Sequence, residues 1–243
     1  MHELDRCLRI LGIELAAGVR AAIDGHVRLL LAWNAAINLT AITDPADVAR
    51  RHVADSLTAF DVIRGGPHAS LLDLGSGGGF PGLPLAAALP ATRALLVDST
   101  AKKAAFLEAV RQAVGLADRV AVAAGRAEAL APSGAARNAG AGPGAGRDVV
   151  TARAVGPLDD LVELSLPLLA MGGRLIAWKR GDLAAELDAA RRAGAALGGG
   201  EPVVHAVPDA LGLAGHALVV IRKEGPTPAG FPRDPAARKR RPW

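Results

Sequence analysis

The sequence predicts an α/β protein: a seven-stranded, mostly parallel, doubly wound sheet with an N-terminal helical extension. Three observations carry this reading. From Ser70 onward, short apolar runs alternate with helix-length segments, the rhythm of a parallel sheet covered by helices. The first of those runs (Leu71, Leu72, Leu74) stops at a glycine cluster of Gly75, Gly77, Gly78 and Gly79, and Phe80-Pro81-Gly82 leads into the helix-like LPLAAALP. Before Ser70 the apolar residues recur at helical spacing instead.

In the N-terminal stretch, Leu4, Cys7, Leu8 and Leu11 mark one helix face, and Ile23, Val27, Leu30, Leu31 and Trp33 mark a second helix over about 19–36. Asn38-Leu39-Thr40 breaks the pattern. Thr43-Asp44-Pro45 reads as a cap with proline in the first turn of a third helical stretch. That stretch carries Arg50, Arg51, His52, Asp55 and Ser56, with His52 and Asp55 on one face, where a local helix pair or capping network is expected. The strand candidates are 70–74, 94–98, 120–123, 148–151, 174–178, 203–207 and 217–223. Helices fill the gaps at about 81–89, 101–114, 157–169 and 182–197, and the last two strands are joined without one. Residues 131–147, rich in Ala, Gly and Pro, read as a flexible loop between a short helix and the fourth strand. The expected organisation is a helical extension at 1–65, the sheet domain at 66–225 and a basic tail at 226–243.

A buried strand turning through glycines into a helix is how α/β folds hold a nucleotide-like ligand. Glycine permits positive φ and close backbone approach, and the helix N-terminus offers free N–H groups. The dinucleotide pattern G-x-G-x-x-G fails from Gly75, because its third position is Phe80. Counting from Gly77 restores it through Gly79 and Gly82 but puts Pro81 inside the turn. The spacing D-x-G-x-G-x-G at Asp73, Gly75, Gly77 and Gly79 instead resembles motif I of S-adenosylmethionine-dependent methyltransferases. Asp98 ends the second strand about twenty residues beyond the turn, where an acid can accept the ribose hydroxyls of a nucleoside, or cap the next helix. Gly125-Arg126-Ala127-Glu128 follows the third strand, where Glu128 could border a ligand or cap a turn. Arg153 ends the fourth strand, a poor place for a packing residue because its charge must be solvated or paired.

Charge and composition exclude several classes. The net charge is +4, and Arg233, Arg238, Lys239, Arg240 and Arg241 against Asp234 alone account for it, so residues 1–232 are formally neutral. The basic character belongs to a terminal arm, of the kind that contacts phosphates or stays solvated. Pro84, Pro90, Glu163 and Pro167 keep every apolar run short of the ~18 residues a membrane span needs. A lone Cys7 excludes an intramolecular disulfide framework and suits a reducing cytoplasm, and its helical context suits a buried hydrophobe. No Cys/His cluster has zinc spacing, so no metal is expected. There is no tyrosine and no Pro-Pro pair, so the N-P-P-Y motif of exocyclic-amine methylation is missing. No cysteine lies near the sheet edges for covalent pyrimidine methylation.

The chain as a whole resembles the bacterial 16S rRNA guanine-N7 methyltransferase G family, also called glucose-inhibited division protein B. The resemblance rests on W-N-x-x-I-N-L-T at 33–40, R-H-x-x-D-S-L at 51–57, L-D-L-G-S-G-G-G-F-P-G-L-P-L at 72–85, D-S-x-x-K-K at 98–103, Phe106-Leu107, G-R-A-E at 125–128 and Arg153-Ala154. It implies a class I, Rossmann-like methyltransferase fold whose last strand inserts antiparallel. It also implies S-adenosyl-L-methionine as cofactor and methylation of guanine N7 at about position 527 of 16S rRNA. The implied cofactor contacts fall on Gly75, Phe80, Ala127, Glu128 and Arg153, to which the motif reading adds Gly77 and Asp98; the implied basic surface falls on Lys102, Lys103 and Lys179, and Arg126 is grouped with these RNA-facing residues. The implied partner is 16S rRNA or a 30S assembly intermediate, met by a cytoplasmic monomer. No catalytic residue is named, since N7 carries a free lone pair and needs no general base. A small-molecule methyltransferase would share the glycine motif, but aromatics at 3% leave little for the substrate cage such enzymes use. Departures from the family are Arg180 between Lys179 and Gly181, and Pro235-Ala236 where a glycine usually follows Phe231-Pro232-Arg233.

Overall fold

The structure, a computed structural model, describes residues 2–130 and 146–243. Two helices open the chain, α1 (His2–Leu11) and α2 (Ala17–Ile37), and Asn38 ends α2 in the left-handed conformation at φ 48°. Asp44 caps the next helix through Asp47 N–H, with Pro45 in the first turn as the sequence predicts. This helix runs as α3 (Pro45–Val48), a π-helical turn over Ala49–Ala54, and α4 (Asp55–Leu57), followed by α5 (Phe60–Arg64). Isolated π turns recur at functional sites, and this one carries Arg51 and His52.

The sheet has the order β3-β2-β1-β4-β5-β7-β6. Strands β1 (Ser70–Leu74), β2 (Arg93–Asp98), β3 (Val120–Ala124), β4 (Arg147–Arg153) and β5 (Leu169–Arg180) are parallel. Strand β7 (His216–Arg222) inserts antiparallel between β5 and β6 (Val203–Ala206). The covering helices are α6 (Gly82–Ala88), α7 (Ala101–Ala113), α8 (Leu158–Ser165) and α9 (Ala184–Leu197). The fold is therefore the class I methyltransferase arrangement the sequence implied. The strand order reverses between β1 and β4, so the crevice at their C-terminal ends is the topological switch point where such sheets bind ligands.

Alternation along the strands divides the core. Leu71, Leu96, Val149 and Ile176 face α2, α6 and α7, while Leu72, Leu95, Val150 and Leu175 face α8 and α9. The N-terminal helices join the first of these clusters through Leu4, Ile23 and Leu30, so the extension covers one face of the sheet. Cys7 is fully buried in a smaller cluster with Ala54 and Leu211.

Several boundaries differ from expectation for local reasons. The helix expected over 157–169 ends at Ser165 and tightens into a 3₁₀ turn at Leu166–Leu168, because Pro167 lacks the N–H that would continue the ladder. Strand β5 starts earlier than expected: Leu169 pairs with Arg147 across a register shift, and Gly173 lies where a Cβ would meet the Arg147 carbonyl at 2.6 Å. Arg147, expected at the end of a flexible loop, is instead a buried residue of β4. Residues 131–145 of that loop lie outside the described residues.

The tail differs most. Arg233 grips the fully buried Glu163 with its backbone N–H and guanidinium, and Trp243 Nε1–H donates to the same carboxylate at 2.7 Å. A short helix, α10 (Pro235–Arg240), then places Arg238 against the body with 7% of its surface exposed. Of the five basic residues read as an arm, Lys239, Arg240 and Arg241 are exposed.

Gly82 shows how closely α6 is drawn onto the sheet. A Cβ there would press on Leu96 and lie 2.7 Å from Asp73 Oδ2. Gly82→Ala should therefore destabilise the fold by about 1–3 kcal/mol, read as a lowered urea midpoint at unchanged m-value.

Candidate active site

The glycine turn after β1 is shaped by positive φ at Gly75 (68°), Gly77 (54°) and Gly79 (90°), which side chains rarely tolerate. Three buried groups hold it. Asp73, with no exposed surface, accepts Thr151 Oγ1–H at 2.7 Å on one carboxylate oxygen and Gly82 N–H at 3.2 Å on the other. Asp98, at the end of β2, accepts Gly77 N–H at 2.9 Å and Thr100 N–H at 2.8 Å. His26 of α2 lies 2.7 Å from the Gly78 carbonyl through Nε2; a carbonyl only accepts, so Nε2 carries the proton. Asp98 thus holds the glycine turn and, through Thr100 N–H, the residue just ahead of α7, a contact that stops short of the helix cap open to it in the sequence. His26 was missed because a lone histidine among apolar helix positions carries no local signal.

The turn opens onto a cleft of about 270 Å³ bordered by Gly75, Ser99, the Gly125–Glu128 loop, Val155 and Gly156. Cβ atoms at Gly125 and Gly156 would meet nothing within 4 Å, so these positions leave a side-chain-free cradle, whereas Gly77 and Asp98 stand behind its lining. Gly75 is the tight point, where a Cβ would lie 2.8 Å from Val155 Cγ2. Gly75, Ala127 and Glu128 line this cleft together, and so does the exposed Arg126, which the sequence placed among the RNA-facing residues. An unforeseen neighbour is Arg238, whose Nη2 donates to Glu128 Oε1 at 2.7 Å.

A second cleft of about 530 Å³ adjoins the first and shares Gly156 and Leu161 with it. It lies over the ends of β4 and β5 and is walled by Arg51, His52, Asp55, Arg153 and His216. Arg153 is its hub. Its Nη1 donates to Asp55 Oδ2 at 2.8 Å and to the Arg51 carbonyl at 3.1 Å, and its Nη2 lies 3.2 Å from His52 Nδ1. A guanidinium only donates, so His52 Nδ1 is the acceptor, and Nε2–H then donates to Thr40 Oγ1 at 2.7 Å. Asp55 is 2% exposed; its other oxygen lies 3.3 Å from His216 Nδ1, and its carbonyl accepts Trp178 Nε1–H. His52 and Asp55, expected to satisfy each other within one helix, instead meet through Arg153 on β4. Ala154, immediately after it, is held at φ 57°, a strained conformation for a residue with a Cβ.

The remaining predicted residues fall outside the two linings or within them in altered roles. The Phe80 ring is 5% exposed, 4.5 Å from His26 and stacked on His52 at 4.7 Å, with the Arg153 guanidinium 5.5 Å above its centre. It supports Arg153 and the glycine turn from below. Lys179 lines the second cleft, but its ammonium is bound to the Gly156 carbonyl (2.8 Å) and Glu186 (2.5 Å), which ties the shared wall to β5. Lys102 is exposed and Lys103 half-buried on the first turn of α7.

Burial lowers the pKa of both histidines to about 4; for His52 the nearby Arg153 charge adds to burial, while Asp55 opposes it. Both are therefore neutral at pH 7. Burial also raises Asp73 to about 6, against the hydrogen bonds from Thr151, Ser76 and Gly82 that favour its ionised form.

A doubly wound sheet with an antiparallel insertion, a glycine turn at the switch point and an acid closing β2 define a class I methyltransferase fold. Solved structures agree on the fold. The chain superimposes with a TM-score of 0.57 at 16% identity on the O-methyltransferase from Bacillus cereus in complex with SAH, covering 82% of this chain and 90% of that one. It matches the O-methyltransferase TomG from Streptomyces achromogenes, solved with SAM, at 0.53 and 15% identity over 88% and 92%. The particular family follows from sequence. The GidB family model, rRNA small subunit methyltransferase G, matches residues 20–210. A ribosomal RNA small subunit methyltransferase G from Chloroflexus aggregans is 42% identical over 235 residues, 95% of this chain and 93% of the relative. Another from Roseiflexus sp. (strain RS-1) is 43% identical over 88% of this chain and 87% of its own. The chain belongs to this family.

The histidine buried beneath the turn should register in stability. In the unfolded chain His26 binds a proton near pH 6.5, and in the fold only near 4, so its contribution is present above 6.5 and is lost as pH falls through that window. The loss approaches about 3 kcal/mol. His26→Gln, which does not titrate, should reduce the fall in urea-unfolding free energy between pH 7 and pH 4.5; an unchanged fall would assign it to other groups.

Proposed function

We propose that this protein transfers the methyl group of S-adenosyl-L-methionine to N7 of a guanine in 16S rRNA, at about position 527, without a general base. The observation that carries the reading is the pair of clefts meeting at Gly156, one cradled by the glycine turn and the other walled by the Arg153 cluster. The first suits the cofactor. Its side-chain-free positions allow close backbone approach, and in this reading Asp98, held by two N–H groups at the end of β2, accepts the ribose hydroxyls. The loop at Ala127 and Glu128 borders the adenine end in this reading, and Gly75, Gly77 and Phe80 form and support the turn. When bound, the cofactor supplies an electrophilic methyl carbon on a sulfonium.

The second cleft suits the base. Its volume is within the ordinary range for small-ligand sites, and the exposed Arg51 and Arg180 at its wall provide cations for RNA phosphates. Guanine N7 presents a lone pair on the major-groove edge, so no proton is removed before attack. Two groups that could act as bases are engaged: His52 Nδ1 takes the Arg153 N–H, and Asp55 is bound to Arg153 and His216. Methylation at N7 makes the ring cationic. A neutral His52, and an Arg153 whose charge is balanced by Asp55, spare that cation the repulsion that unbalanced charges would impose. Catalysis then rests on placing N7 in line with the methyl carbon, an effect of about 7–11 kcal/mol at most. Lys102, Lys103 and Arg126 are assigned to the RNA-facing rim, and Lys179 to holding the wall between the clefts.

Arg153→Ala should lower kcat/KM for RNA by about 100-fold through misplacement of the cleft wall. Unchanged cofactor affinity together with unchanged turnover would remove Arg153 from the site. The function itself is tested by mass spectrometry of 16S rRNA from cells with and without the protein. N7-methylguanosine in the loop around about position 527 should vanish without it and return on complementation, and its persistence would refute the assignment.

A further inference from the structure

The C-terminal segment is the feature that the site's chemistry leaves unused. Its basic residues read in the sequence as an arm for phosphates, yet Arg238 is 7% exposed and lines the cleft of the glycine turn. One guanidinium joins two walls of that cleft: Nη2 donates to Glu128 Oε1 at 2.7 Å, and Nε lies 3.3 Å from Asp160 Oδ1 on α8. Its Nη1 closes back on the Arg233 carbonyl at 2.8 Å, so both terminal nitrogens are hydrogen-bonded, while Nε contributes only its ion pair with Asp160.

The segment that delivers it is anchored separately. Glu163, with no exposed surface, takes Arg233 and the Trp243 indole N–H, and the Arg233 guanidinium lies 4.9 Å over the Trp243 ring. A buried carboxylate with this many donors holds the strap in place whether or not Arg238 is present. Burial pushes the Glu128 carboxyl up, and the hydrogen bond from Arg238, a backbone hydrogen bond and the charges of Arg238 and Arg126 together more than offset it, leaving the group below its ordinary range and ionised at neutral pH.

We propose that Arg238 is a positioning residue of the cofactor site: it holds the Glu128 carboxylate in the orientation that the adenosyl end of the cofactor meets, so that the strap 231–243 forms one wall of that site. The proposal rests on the reading of Glu128 as a cofactor contact. It divides the basic tail by role, with Arg233 and Arg238 structural to the site and Lys239, Arg240 and Arg241 facing solvent, where RNA phosphates are met. A charge-assisted hydrogen bond is strong enough that its loss should cost about tenfold in cofactor affinity.

The experiment is calorimetric titration of S-adenosylmethionine and S-adenosylhomocysteine into the full-length protein and its Arg238→Ala, Arg238→Lys and Glu128→Gln variants, with the double variant closing the cycle. Arg238→Ala should raise Kd about tenfold, and Arg238→Lys, which keeps the charge without the fork, should recover part of the loss. Within Glu128→Gln the same Arg238→Ala change should cost less than about twofold, because the route is already broken. KM for the cofactor should rise at unchanged saturating kcat, with the salt slope of RNA binding unmoved. Replacing Lys239, Arg240 and Arg241 together should do the reverse, reducing the slope by up to about three ion contacts while leaving cofactor affinity as it is. Unchanged or tighter cofactor binding in Arg238→Ala would overturn the proposal, as would a full tenfold loss that persists in Glu128→Gln. If Arg238→Ala does not fold, Arg238→Lys decides by the same criterion. Failure of the unsubstituted protein to bind either ligand would instead refute the reading of the cleft.

Discussion

The buried carboxylate of Asp73 sets the geometry from which the rest of the site is built. It lies on β1 at the switch point, and its two oxygens reach in different directions, one to the Thr151 hydroxyl on β4 and one to Gly82 N–H where α6 begins. A single side chain thus ties the strand before the glycine turn to the neighbouring strand and to the helix after the turn. Between those fixed points the chain has few conformations open to it, and the positive φ values at Gly75, Gly77 and Gly79 are the ones that fit. The cost is a carboxyl kept in a dry environment, visible in its raised pKa of about 6. Hydrogen bonds from backbone and hydroxyl donors make that burial tolerable.

A second constraint acts across the molecule. Arg153 leaves β4 and closes on the π turn, so the N-terminal helices are fastened to the sheet at the same place where the second cleft forms. The stack of His26, Phe80 and His52 under that guanidinium links the glycine turn to the same helices. The extension is therefore part of the site's scaffold, and its attachment depends on polar contacts that only the folded chain assembles.

How much of this was legible in the sequence depended on distance along the chain. Periodicity and the glycine cluster are local, and from them the seven strands, the capped helix at Asp44 and the turn after Leu74 could be placed. Asp98 and the 125–128 loop were legible because the fold puts strand ends together in a known way. Partnerships between distant residues were not. Arg153 could be singled out as misfit for packing, but its partner Asp55 lies 98 positions earlier, and that residue was read as serving its own helix. The tail's charges could be counted but not paired, since Glu163 and Glu128 are 70 and 110 positions away from the arginines that bind them. Lys179 likewise looked like surface until Glu186 and the Gly156 carbonyl claimed its ammonium.

The wall between the two clefts carries a thermodynamic consequence. Gly156 borders both, and Lys179 pins its carbonyl to β5. Any adjustment of that peptide on filling one cleft is felt by the occupant of the other. Linkage then makes the effect mutual: whatever factor one ligand contributes to the other's affinity is returned in equal measure, whichever arrives first. The order of arrival is thus a matter of rates and concentrations, while the cooperativity between the two ligands is a single property of the ternary complex.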